Sequence, residues 1–310
     1  MKLQTIMLFA AFAASRVGAQ ERPAPVPTIP PAVLDDTLEI TGESLAAKQI
    51  RTRMYVDVAV NGQGPFRFLV DSGADRSVIG TGLAARLGLP PGNPVQLQSM
   101  AGATHVETVV IDRLRLGNTD VGPIAAPALS EAFIGAQGLL GIDALSEQRL
   151  MVDFDAKRVT IEDPRRPEVI RADEIVVTAH RRRGQLILTQ ADVNGTPIYA
   201  VIDTGAELTM GNLALQARIF RGRRVPPLQP ITLVSVTGQT IVANLVVMPI
   251  VMIGKIELRG VPVAFADAPP FKLFGLDRQP AMLLGTDVLQ SFRRVALDFR
   301  GRKVRFVLRR

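Results

Sequence analysis

With 310 residues, 47% of them hydrophobic, the chain has ample material for a buried core. It has no cysteine, which excludes disulfides and a thiol nucleophile. The formal charge of +7 is mildly basic, but the arginines are scattered and nothing resembles a nucleic-acid-binding module.

The chain opens with Lys2, an apolar run from Ile6 to Ala14, and the small residues Val17-Gly18-Ala19. This is the pattern of a secretory signal peptide over residues 1–19. Its apolar run is shorter than the roughly 20 residues that a membrane helix needs. An uncleaved anchor is the alternative reading. Removing Lys2 and Arg16 with the signal takes the charge from +7 to +5. The expected destination is periplasmic or extracellular, with no membrane span in the mature chain. Residues 20–35 follow as a Pro-rich leader, expected to be extended.

The elements beyond the leader occur twice. Met54–Val60 and Phe66–Val70 read as a hairpin about Asn61-Gly62, and Leu186–Val193 and Ile198–Ile202 as another about Asn194-Gly195. Each second strand ends in an aspartate turn, "DSGA" at Asp71 and "DTGA" at Asp203. Short helices are expected near residues 82–89 and 211–219. Next come "LQSMAGAT" and "LVSVTGQT", then Val- and Ile-rich strands near 108–116 and 241–253. "LLGIDAL" from Leu139 matches "LLGTDVL" from Leu283, each expected to enter a short helix capped by Asp143 or Asp287. "VDFDAKRVTI" from Val152 matches "LDFRGRKVRF" from Leu297. So many blocks in one order mark a duplicated domain. The expected division is a lobe over 36–165, a linker over 166–184 rich in Pro and charge, and a lobe over 185–310.

An aspartate at the end of an apolar strand is costly to bury alone. A hydroxyl residue and Gly after it form a tight turn that offers backbone N–H donors and lets another backbone approach closely. One such turn is ordinary; two, each followed by Leu-Leu-Gly at a similar distance, are not. Duplication places equivalent residues across a pseudo-two-fold axis, so Asp71 and Asp203 are expected to face each other. Two carboxyls in contact share a proton. The ionised one can deprotonate water while the protonated one polarises a carbonyl. The two histidines, His105 and His180, lack ligand spacing, and no metal or cofactor is expected.

These residues resemble a retropepsin-like aspartic peptidase in its single-chain, two-lobed form, as found in bacterial exported proteins. The resemblance covers about residues 50 to 308. It implies an all-β fold of two homologous closed β-barrel lobes with short helices and the active site between them. Asp71 and Asp203 would be catalytic, supported by Ser72, Gly73, Thr204 and Gly205, with Ser72 and Thr204 locking the two turns together. Gly102 and Gly238 fall where the family has flaps over the substrate cleft. The retroviral enzymes have an Arg after the apolar-apolar-Gly element; here Ile142 and Thr286 take that place. The usual partner of Asp75, and of Glu207 in the second lobe, is therefore missing. The pepsin branch fits less well, because its flap Tyr is absent and Ala74 and Ala206 replace a hydroxyl residue.

The resulting expectation is an exported aspartic endopeptidase, monomeric, acting on an extended peptide or protein with apolar residues about the cut. Without the hydroxyl after Gly, its optimum is expected at about pH 4.5 to 6.5. The alternative is a peptide-binding or regulatory protein of the same fold that cuts nothing.

Overall fold

The computed structural model describes residues 53–309 other than 118, 147, 163–173 and 223–225. It also gives the backbone alone of Glu162 and of three earlier strands, Thr5–Met7, Ala11–Ala13 and Glu43–Ile50. The expected signal peptide and Pro-rich leader otherwise lie outside the described residues. The fold is mostly β, with a closed six-stranded barrel and a curled half-barrel sheet.

Both sequence-predicted hairpins form. Arg53–Val60 pairs antiparallel with Gln63–Val70, and Gln185–Val193 with Thr196–Ile202. Asn61 and Gly62 turn with φ of 48° and 81°, Asn194 and Gly195 with 48° and 79°. Two consecutive positive φ values make a turn whose twist matches the strands, which is why Asn-Gly stands there twice. Along the first strand Val56, Val58 and Val60 are buried while Asp57 is exposed, the alternation of a strand with one face on the core.

In each lobe the strand that ends in the aspartate receives a parallel partner from the Leu-Leu-Gly block. Leu140 pairs with Val70 in the first lobe and Leu284 with Ile202 in the second. On its other side that partner pairs antiparallel with the strand leaving the aspartate turn, Val78–Gly80 or Met210–Gly211. The aspartate turn is thus held from both flanks by one buried strand.

The lobes are joined by a six-stranded sheet, three strands from each half. Its order is Glu43–Ile50, Arg158–Glu162, Arg149–Asp153, Phe292–Asp298, Lys303–Leu308, Glu174–Arg182. Arg149 lies opposite Asp298 and Asp153 opposite Arg294 on the two central strands. Both couples are ion-paired and buried, Arg149 Nη2 to Asp298 Oδ2 at 3.3 Å and Arg294 Nε to Asp153 Oδ2.

Part of the expected linker is therefore structured. Glu174–Arg182 pairs with Lys303–Leu308 and with Gln185–Val193. Its Ile175-Val176-Val177 run is strand-forming, and Glu174, buried, accepts from Arg305 Nη1 at 3.0 Å. The helices Thr81–Arg86, Ile142–Leu145, Leu213–Ile219 and Thr286–Leu289 lie where helices are expected from sequence. Two more, Glu131–Ile134 and Pro269–Leu273, are additions to that expectation. Among the described residues no helix is long and apolar enough to cross a membrane.

Candidate active site

Asp71 and Asp203 are both completely buried at the ends of their strands. Asp71 Oδ1 accepts from the N–H of Gly73 at 2.8 Å and of Ala74 at 3.0 Å. Asp203 Oδ1 accepts from Gly205 and Ala206, both at 3.0 Å. The outer oxygen of each, Oδ2, is buried and takes no hydrogen bond from the described residues. Each carboxyl is thus fixed through one oxygen, leaving the other to act on a third group.

The turns interlock. Ser72 N–H donates to Thr204 Oγ1 at 2.9 Å, and Thr204 N–H to Ser72 Oγ at 3.1 Å. Each hydroxyl then donates to the opposite lobe, Ser72 Oγ to Ile202 O and Thr204 Oγ1 to Val70 O. The glycines are required by contact across the axis. A Cβ on Gly73 would lie 2.7 Å from Asp203 Cγ, and one on Gly205 would lie 2.2 Å from Asp71 Cγ. Neither glycine has a positive φ, so their function is close approach rather than backbone freedom.

Burial raises both carboxyls. For Asp71 desolvation is the main cause, opposed by the donors Gly73 and Ala74 and by the charge of Arg53, and the result is about 6. Asp203 is driven well above the usual carboxylate range, first by burial and then by the charge of Asp71. A pair whose members differ in this way holds one proton over a range of pH.

Asp143 and Asp287 do not cap their helices. The capping positions are Gly141 and Gly285, which have no side chain to do so. Instead each carboxylate clamps the far end of the aspartate turn. Asp143 Oδ1 accepts from Ser77 N–H at 2.8 Å and Ser77 Oγ at 2.6 Å, and Ser77 Oγ accepts from Gly141 N–H. Asp287 does the same with Thr209, whose Oγ1 accepts from Gly285 N–H. Burial raises both acids, Asp287 to about 6. Gly141 is packed so tightly that a Cβ would lie 2.4 Å from the Arg76 carbonyl carbon.

The cation that the sequence leaves missing comes from an unexpected place. Arg53, wholly buried at the start of the first hairpin, puts Nε 3.5 Å from Glu207 Oε1 in the opposite lobe and donates from Nη1 to Ile134 O at 3.3 Å. Its counterpart is Gln185, also buried, which donates to Gly73 O at 3.2 Å. No reading of the repeats could reveal the pair, because the two positions differ.

The anticipated glycines lie in two further hairpins, Val95–Ser99 with Gly102–Val106, and Gln229–Ser235 with Thr240–Ile253. Gly102 and Gly238 have φ of 143° and 81°. The hairpins meet at their tips. Ser99 Oγ donates to Gln239 Oε1 at 3.4 Å and accepts from Thr237 Oγ1 at 3.3 Å. The ring of Phe133, 39% exposed, lies against Gly238. Among the described residues no group of three or more His, Asp or Glu side chains could hold a metal ion.

No curated protein matches the chain. The family model for aspartyl protease matches residues 56–144 and 189–288, one region per lobe and together more than half of the sequence. Each region contains one aspartate turn and its Leu-Leu-Gly partner, so the chain belongs to the retropepsin-like aspartyl protease family in a two-lobed form.

Proposed function

We propose that the protein is an exported endopeptidase that uses Asp71 and Asp203 to activate water against a peptide carbonyl. The observation that carries this reading is the pair of buried carboxyls, each tied down through Oδ1 and offering Oδ2. With one proton on the pair, the ionised member removes a proton from water as it attacks, and the protonated member donates to the carbonyl oxygen. The tetrahedral diol then collapses as a proton passes to the leaving nitrogen. No covalent intermediate forms. Ser72 and Thr204 keep the geometry rigid, and the N–H groups of Gly73, Ala74, Gly205 and Ala206 stabilise the charge as it moves.

The substrate would lie extended under the hairpins bearing Gly102 and Gly238, paired through its backbone to strand edges. Apolar side chains about the cut would keep the cleft dry. Both carboxyls come from one chain, so a monomer suffices. The test is digestion of a peptide library by the purified protein, beside Asp71→Asn and Asp203→Asn. We expect cleavage by the wild type alone, blocked by a statine-type peptide, and folded but inactive variants. Binding of that peptide without cleavage would instead favour the non-catalytic reading, and near-normal activity in either variant would refute the dyad.

A further inference from the structure

The two halves match closely at the aspartates, but not at the residue beside each. Tyr55 pairs with Leu69 and Ile187 with Val201. Continuing each antiparallel register by two residues sets Arg53 across from Asp71 and Gln185 across from Asp203. Both are the first residues of their strands and both are fully buried. One carries a permanent charge; the other carries none.

We propose that Arg53 is a positioning residue that makes the two aspartates inequivalent, holding the negative charge on Asp71 and leaving the shared proton on Asp203. Asp71 is then the group that takes the proton from water, and Asp203 the group that donates to the carbonyl. These roles rest on the peptidase reading; the location of the charge does not.

Charge and geometry agree. A buried guanidinium interacts far more strongly with a neighbouring carboxylate than an exposed one, because little water screens it. The other charged groups of the two turns are Asp75, Arg76 and Glu207, with Asp143 and Asp287 behind them and Arg76 acting on Asp143. Arg53 is paired with Glu207, four residues beyond Asp203, so its guanidinium reaches from the strand beside Asp71 to the turn of the opposite lobe. Gln185, bonded to Gly73 O, supplies no counter-charge to Asp203. The direction of titration is consistent: Asp203 is driven up by the charge of Asp71, and Arg53 opposes the rise of both carboxyls, more prominently at Asp71 than at Asp203.

The test is carboxyl NMR of the whole protein labelled at the aspartate side-chain carbon, with Asp71→Asn and Asp203→Asn assigning the two signals. In the wild type the Asp71 carbon should take the first ionisation of the pair. Arg53→Gln should raise that midpoint by about one pH unit and divide the ionisation between both carbons. Arg53→Lys should keep the wild-type order. Because Arg53→Gln strands Glu207, the double variant Arg53→Gln/Glu207→Gln serves as the folded control and should show the same redistribution. First ionisation at Asp203, or an unchanged titration in the folded double variant, overturns the inference. Should the expected order appear without cleavage of any peptide, the inference stands and the peptidase reading fails. Cleavage with the opposite order overturns the inference and leaves the peptidase reading intact.

Discussion

Replacing Asp287 by Asn removes a buried carboxyl but keeps an acceptor for Thr209 Oγ1 and the N–H of Val288. The bond from Thr209 N–H to the second oxygen is lost, a cost that does not vary with pH. What varies is the titration. Burial raises Asp287 from 3.8 to about 6. A shift of about 2 units corresponds to about 3 kcal/mol. The sign follows from proton binding: the folded state holds the proton more tightly than the unfolded chain. This group's contribution is therefore fully present below pH 3.8 and lost as pH rises through about 6. Of the total, about 2 kcal/mol should be lost between about pH 4 and about pH 7. The variant has no such group, so its stability relative to the wild type should improve by that amount across the interval. Urea unfolding of both proteins at the two pH values measures it, since all other titrations cancel in the difference. A gap between wild type and variant that stays constant with pH would refute the reasoning.

Gly205→Ala should abolish activity by orders of magnitude, because its Cβ would stand 2.2 Å from Asp71 Cγ; a peptide assay on folded variant checks this. Arg149→Met should cost about 3 to 5 kcal/mol by leaving Asp298 buried and unpaired, and Arg149→Met/Asp298→Met should recover most of it in denaturant unfolding. The rate of peptide cleavage should rise with pH through about 6, where Asp71 loses its proton, and fall again when Asp203 ionises. That puts the maximum at or above the upper end of the range expected from sequence. A maximum near about pH 2 would contradict two buried, raised carboxyls.

Legibility follows the duplication. Asn61-Gly62, the aspartate turns and the two Leu-Leu-Gly blocks are readable because each occurs twice and obeys a local rule. Arg53 is not: it lies 154 positions from Glu207 in sequence, and its counterpart is Gln185. Asp143 and Asp287 sit where helix caps commonly sit, and only tertiary contact shows them serving Ser77 and Thr209 instead. Glu174–Arg182 reads as linker because its flanking charges outweigh its Ile-Val-Val core. The helix Pro269–Leu273 begins with two prolines, a sequence that reads as a loop although the fixed φ of proline suits a first turn.

The central strands of the joining sheet follow a common rule. Arg149 and Arg294 occupy matching places in the two halves, as do Asp153 and Asp298, and each arginine meets the aspartate of the other half. The edge that one half offers the other is therefore complementary to a second copy of itself. On this sheet edge alone, two first halves could meet with Arg149 on Asp153 in both directions, as a two-fold symmetric pair does. The covalent tether favours the observed partner by keeping the second half at a high local concentration. A chain severed between its halves would keep this self-complementary edge on both parts, while Arg53 meeting Glu207 and Gln185 meeting Gly73 would favour the unlike pair.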